Sequence, residues 1–310
     1  MALSEGVLYV VAPRYTGDRT VDNLYAIDAA TATRQWSTNV DALAEYAPTV
    51  TAETLYVARS SGSLVALDRG TGDLLWEVDT PEYVDGPVAA NDDVAVLVVD
   101  SGSGSTVVCV DRTSRGVRWT REMDATVETP ALTDGSVIVP GDPVRALDTE
   151  TASVHWRADD AGMTTPAVRD GLAVLDTTGG IAAYDVTSGR RRWTFDTNWG
   201  VGTPALTDAL ALSTTSSAAH RWTLRALDRE DGSERWSKEL TSELPTPPVV
   251  ANETVYIASH AGTVWAFDLS SGERLWTASV ATLQETDLAV GDGALYVPTG
   301  NRVVCFRDSQ

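Results

Sequence analysis

Seven aspartates recur through this 310-residue sequence, each followed eight positions later by a tryptophan. The pairs are Asp28/Trp36, Asp68/Trp76, Asp111/Trp119, Asp148/Trp156, Asp185/Trp193, Asp228/Trp236 and Asp268/Trp276, and successive aspartates lie 37 to 43 residues apart. A carboxylate can act as a general base or as a hard ligand for a cation, so a converging set would be a site for either chemistry. The fixed spacing favours a structural role. Turn formers follow each Asp, as in Asp68-Arg69-Gly70-Thr71-Gly72, and an Asp in that place accepts the N–H groups of the turn. The Thr or Ser three residues on braces the same turn. Gly72, Gly189, Gly232 and Gly272 are expected to take a positive φ, which costs glycine little. Ala32, Arg115 and Ala152 hold that slot in the other copies, where the turn should be strained or of another type. Outside the repeat, Trp199 lies in Thr197-Asn198-Trp199-Gly200-Val201-Gly202. Its indole can floor a site for a flat ring, plug a channel, or pack on a neighbouring sheet. His155, His220 and His260 show no zinc spacing. Cys109 and Cys305 each sit two residues before the Asp slot, and both read as small buried strand residues, with neither a disulfide nor a metal pair expected.

The elements that carry these residues are short strands. Alternating apolar residues run into each Asp and resume after the turn up to the Trp. Earlier in each unit come a Pro-led strand, such as Pro130–Thr133 or Pro204–Thr207, a turn, and a β-branched or aromatic run such as Leu55-Tyr56-Val57. Met1–Val10 aligns without gaps on Pro130–Val139, so the first unit has its opening strand. The eighth unit, Leu288–Asp308, carries Arg307 in the Asp slot and no following Trp. A four-stranded unit of about 40 residues repeated around an axis is a β-propeller. The expectation is an all-β, eight-bladed propeller whose last blade lacks its outer strand. It would be one domain over 1–310, with repeats near 1–40, 41–80, 81–123, 124–160, 161–197, 198–240, 241–280 and 281–310. In a longer native chain, residues before Met1 are an expected source of the missing strand.

Composition narrows the function. There are 44 acidic against 23 basic residues, a net charge of −21, and Lys238 is the only lysine. This excess, spread along the whole chain, reads as adaptation to concentrated salt in a halophilic archaeon. Carboxylates hold water and cations, and the salt screens their mutual repulsion. It argues against nucleic-acid binding, which needs a basic footprint. No apolar run is long enough to span a membrane. A monomer outside the cytoplasm, secreted or lipid-anchored, is expected.

The motif resembles the repeat of pyrroloquinoline-quinone (PQQ) dehydrogenases and of BamB-like propellers, Ala-x-Asp-x-x-Thr-Gly-x-x-x-Trp. Ala66, Asp68, Thr71, Gly72 and Trp76 match it fully. Ala183, Asp185, Ser188, Gly189 and Trp193, and likewise Ala266, Asp268, Ser271, Gly272 and Trp276, match with Ser for Thr. The resemblance implies that each Trp docks on the neighbouring blade. It covers the whole chain and speaks to fold more than to function.

Propellers bind ligands over the channel mouth, in the loops before each first strand. Glu45, Asp85, Glu128 and Glu285 fall there and are the candidate metal ligands, of a kind suited to Ca²⁺ or Na⁺. Thr164 and Thr246 fall there too, and Trp199 is the candidate cofactor-binding residue. No catalytic residue is singled out. The leading reading is a non-catalytic scaffold that binds a protein or peptide through the mouth loops, with no cofactor expected. The alternatives are a PQQ- and Ca²⁺-dependent dehydrogenase, or the sensor ectodomain of a larger protein. The resemblance sets two features against the enzyme. PQQ alcohol dehydrogenases carry a vicinal Cys-Cys pair absent here, and they are much longer chains.

Overall fold

A computed structural model describes all residues except 17–18, 41–45, 60, 85, 101, 103, 126, 198, 201, 218–220, 241–244, 284–287, 292, 301 and 308–310. The fold is an all-β propeller of eight blades, each an antiparallel sheet whose strands pair in chain order. In the second blade that order is Thr49–Val50, Thr54–Arg59, Ser63–Asp68 and Leu74–Asp79. The first blade does have its opening strand, Ala2–Ser4, paired with Val7–Thr16. The eighth has three strands among the described residues, Ala289–Gly291, Ala294–Thr299 and Arg302–Arg307. By compactness the chain divides into two units, Met1–Val137 with Asp148–Ser153, and Ile138–Leu147 with Val154–Gln310.

Strand chemistry follows strand position. The second and third strands of a blade are covered on both faces, so they are nearly continuous apolar runs: Thr54–Arg59 and Ser63–Asp68 are buried over all but their last residues. The fourth strand alternates, because one of its faces meets water, as in Leu74–Asp79. The apolar clusters join consecutive repeats. Tyr56, Leu64 and Ala66 pack with Val88, Leu97 and Val108 in the first unit. Leu172, Val174 and Trp193 pack with Ala211 and Leu227 in the second. Trp265, buried, and Trp222, half-buried, belong to a further cluster of the sixth and seventh repeats.

The motif residues explain themselves in this frame. Opposite each Trp stands a small residue: Ala26, Ala66, Cys109, Ala146, Ala183, Ala226 or Ala266. All seven are fully buried. Directly after each of them the register slips by one residue, a bulge that lets the chain enter the turn. Asp68 Oδ1 accepts from Gly70 N and Thr71 N at 2.9 and 2.8 Å, and from the Thr71 hydroxyl at 3.1 Å. Asp148 repeats the pattern with Glu150 and Thr151. The Thr71 and Thr31 bonds hold Asp68 and Asp28 below the usual carboxylate range, and the Ser270 and Ser271 bonds hold Asp268 at about 2. The slot filled by Ala32, Arg115 and Ala152 keeps the same turn, with the same bond back to the Asp carbonyl and φ of +56° to +58°. Those turns are strained and of the same type.

Each glycine of that slot lies against the preceding repeat's indole. A Cβ on Gly72 would come within 2.5 Å of Trp36, on Gly189 within 2.4 Å of Trp156, and on Gly272 within 2.6 Å of Trp236. The indole N–H then reaches the carbonyl just after the next Asp: Trp119 to Thr149, Trp156 to Val186, Trp193 to Arg229 and Trp236 to Leu269, at 2.7–2.9 Å. Trp36 departs from this. Its Nε1 is buried without a partner, and the corresponding carbonyl, Arg69 O, instead accepts from the Tyr9 hydroxyl at 3.4 Å. Trp193→Phe is therefore expected to cost about 1 kcal/mol more than Trp36→Phe, since only the first loses a hydrogen bond. Urea melts of the two variants measure the difference, and equal costs would show that the bond adds nothing.

Candidate functional site

The residues expected at the channel mouth are partly visible. Glu45, Asp85 and Glu285 lie outside the described residues; Glu128 is described and exposed. Among the described residues no group of three or more His, Cys, Asp or Glu is placed to hold a metal ion. Thr164 and Thr246 are buried and satisfy backbone: Thr164 Oγ1 accepts from Asp176 N at 3.0 Å and Thr246 Oγ1 from Ala258 N at 3.1 Å. Trp199 is in a short strand, Trp199–Gly200, rather than a loop. It pairs with Leu210–Ser216 at Ser216 and adds a fifth strand to the sixth sheet. His220 lies outside the described residues.

Two features went unread in the sequence. The first is Asp176, fully buried at the end of the apolar strand Leu172–Thr177. Its carboxyl receives the Ser213 hydroxyl at 3.1 Å, and burial pushes its pKa up to about 7 against that bond. The only clue was a lone charge inside Leu-Ala-Val-Leu-Asp-Thr. The second is a groove of about 310 Å³ lined by Tyr256, Trp276, Thr277, Ala278, Phe306 and Arg307. The Trp276 and Phe306 rings stack with centroids 5.4 Å apart, and Tyr256 lies 6.0 Å from Trp276.

The groove lies between the seventh sheet, which gives Tyr256 and Trp276–Ala278, and Phe306 and Arg307 of the eighth. Arg302–Arg307 pairs on one side with Ala294–Thr299 and is the last strand of its sheet. Its register aligns with the third strands of the other blades, so Cys305 occupies the slot filled elsewhere by Ala26, Ala66 and Cys109. Cys109 is buried there, and burial pushes its thiol up to about 12; Cys305 is exposed. The expectation that both cysteines are buried is thus corrected for Cys305, because among the described residues no fourth strand and no Trp cover it.

The charges at this edge are inverted relative to the repeats. In three blades the Asp slot pairs with an arginine placed just before the Trp: Asp111 with Arg118, Asp185 with Arg192 and Asp228 with Arg235. In the eighth the slot holds Arg307, which is exposed, as is Arg302 at the other end of the strand. Sequence already marks Arg307 as the odd copy, but the groove beside it needs the packing of Trp276 on Phe306.

Comparison with known proteins agrees with this architecture. The family model described as outer membrane protein assembly factor BamB matches residues 1–96, 62–194 and 177–310. No curated protein sequence matches. Among solved structures, BamB from Moraxella catarrhalis is similar at 19% identity, covering 98% of this chain and 97% of that one, with a TM-score of 0.75. The computationally designed Ika8 protein is similar at 15% identity, with 99% and 98% covered and a TM-score of 0.79. Quinohemoprotein alcohol dehydrogenase from Comamonas testosteroni is similar at 13% identity, with 96% of this chain and 69% of that one covered and a TM-score of 0.72. At these identities the structural likeness concerns the fold.

Proposed function

We propose a protein-binding scaffold as the function of this chain, which belongs to the family of the outer membrane protein assembly factor BamB. The observation that carries the reading is the match of that family's model along the whole chain, over residues 1–96, 62–194 and 177–310, beside which the structure offers an apolar groove with two stacked rings. Apolar surface with aromatic rings is the kind of patch a protein partner covers. The scaffold works outside the cytoplasm, in concentrated salt that screens the net charge of −21.

The quinoprotein reading asks for a calcium set and a ring-stacking floor. Of the four candidate ligands Glu128 is the one described, and it is exposed, while the two cysteines sit in different repeats and do not form a vicinal pair. Titration with PQQ and Ca²⁺ in multimolar KCl separates the readings, following absorbance, Trp fluorescence and dye-coupled alcohol oxidation together. The expected result is no saturable binding and no turnover. Stoichiometric PQQ binding accompanied by alcohol oxidation would overturn the scaffold.

A further inference from the structure

We infer that the joint between the fifth and sixth blades is a proton-controlled latch: neutral Asp176 holds the mouth end of the joint closed, and loss of its proton opens that end to water. The latch is a property of the fold and does not depend on what the chain binds.

Polar residues meet at this joint where other repeats place apolar ones. Counted from the residue opposite the Asp slot, Asp176 is the fifth position of its blade's second strand. Val11, Ala58, Val98, Thr214, Ala258 and Pro298 hold that position elsewhere. Ser213 takes the fourth position in the sixth blade, where other blades have Val57, Leu97, Leu175 and Ile257. Arg225 stands opposite Ser213 in register, while Val65, Val108 and Ala182 stand opposite the first three of those. The departures fall on the two faces of one joint. Leu172, Val174, Ile181 and Ala183 pack there on Ala211 and Leu227, and by strand alternation Asp176 and Ser213 continue the two faces toward the mouth.

Asp176 is also tied to the segments that frame the mouth. Its N–H donates to Thr164 Oγ1 at 3.0 Å and its carbonyl accepts from Met163 N at 2.8 Å, which fixes the loop leading into the fifth blade. The strand Trp199–Gly200, which leads into the sixth, pairs with Thr215 and Ser216 and packs against Leu172–Thr177 and Gly180–Asp185 of the fifth. It therefore spans the joint.

A charge on Asp176 has little to hold it. The carboxyl receives the Ser213 hydroxyl at 3.1 Å, whereas a carboxylate has about four acceptor sites. Across the joint Arg225 is engaged elsewhere: its Nε donates to Thr215 Oγ1 at 2.9 Å, its guanidinium pairs with Glu234, and it lies 5.3 Å over the Phe195 ring. Trp199–Gly200 and Leu210–Ser216 contain no charged residue. In the fifth blade Asp160 and Tyr184 bond each other on the opposite face, with Arg191 on Asp160, and Asp185 is held in its turn with Arg192. Arg221 and Glu239 pair with each other at the exposed rim of the sixth. Water remains to solvate the charge, and it reaches a fully buried carboxyl only when the joint parts. Burial raises the pKa of the closed form to about 7, so the closed joint keeps a proton that the open joint has lost.

The seventh repeat is a matched control. There Thr246 Oγ1 accepts from Ala258 N at 3.1 Å and Thr246 N donates to Ala258 O at 2.7 Å, with alanine in the Asp176 position.

Native-state hydrogen exchange of the full chain in concentrated KCl, followed from pH 5 to pH 8 and corrected for the intrinsic pH dependence of exchange, tests the latch. Protection of the Met163 and Asp176 amides is expected to fall by up to about a hundredfold across that range and to level off above pH 7, because opening releases one proton. Protection of the Thr246 and Ala258 amides is expected to change by less than about twofold. Asp176→Asn is expected to keep Met163 at its pH 5 protection throughout. Ser213→Ala, which deletes the hydroxyl donor to the charge, is expected to move the levelling to higher pH. Three results would each overturn the inference: protection at Met163 that ignores pH in the wild type, a fall no larger than that at Thr246, or a fall that persists in Asp176→Asn. Should Asp176→Asn fail to fold, an unchanged profile in Ser213→Ala overturns it instead.

Discussion

Replacing Asp176 by Asn should stabilise the protein by about 2–4 kcal/mol above pH 7 and by almost nothing near pH 4. The sign follows from linkage. Asp176 titrates near 4 in the unfolded chain and at about 7 in the fold, because burial disfavours its charge more than the Ser213 hydroxyl favours it. Between those values the native state holds a proton that the unfolded state has lost. Stability from this residue therefore falls as pH rises from 4 to 7 and is flat above. Three pK units correspond to about 4 kcal/mol, taken here as an upper bound. Asn keeps the acceptor for Ser213 and cannot ionise. Thermal melts of wild type and Asp176→Asn across that pH range check it. Parallel curves would show that Asp176 ionises in the fold as it does in the unfolded chain, as it would if the site admits water.

Gly189→Ala should destabilise by about 2–5 kcal/mol, one of the largest effects of any single methyl in the molecule. Two causes add. The residue sits at φ +69°, which L side chains adopt at a cost, and its new Cβ would lie 2.4 Å from Trp156. The Trp156 indole cannot withdraw freely, since its N–H is held by Val186 O at 2.7 Å. Two companion variants separate the causes. Ala152→Gly, at φ +58° in the same slot, relieves only backbone strain and should stabilise by about 1 kcal/mol. Trp156→Leu should itself be costly, but in its background Gly189→Ala should lose most of its penalty. If Gly189→Ala costs the same in the Trp156→Leu background as in the wild type, the clash plays no part and strain alone acts.

The repeat was legible because its residues are constrained locally. An Asp that must accept its own turn's N–H groups, a residue that must take positive φ, and a Trp at a fixed offset are each set within a dozen residues. The blade count, the opening strand at Ala2–Ser4 and the three described strands of the eighth blade follow from alignment of those copies. The family membership then agrees with the motif. The turn at Ala152 was legible only in part: sequence left strain or a new turn type open, and the bond from Ala152 N to Asp148 O decides for strain.

The candidate site divides differently. Sequence alone determined that Arg307 stands in the Asp slot of the eighth unit, since that is a reading of register. It did not determine that Cys305 is exposed while Cys109 is buried, because the two share one slot and differ in what the described residues place across them. Nor could it place Phe306 on Trp276, or Asp176 beside Ser213, which are contacts between residues 30 and 37 positions apart. Local constraints propagate along the chain and leave periodic marks. Contacts between repeats, and the energy of burying a charge or baring an edge, depend on what the neighbouring sheet puts opposite, and only the tertiary structure decides that.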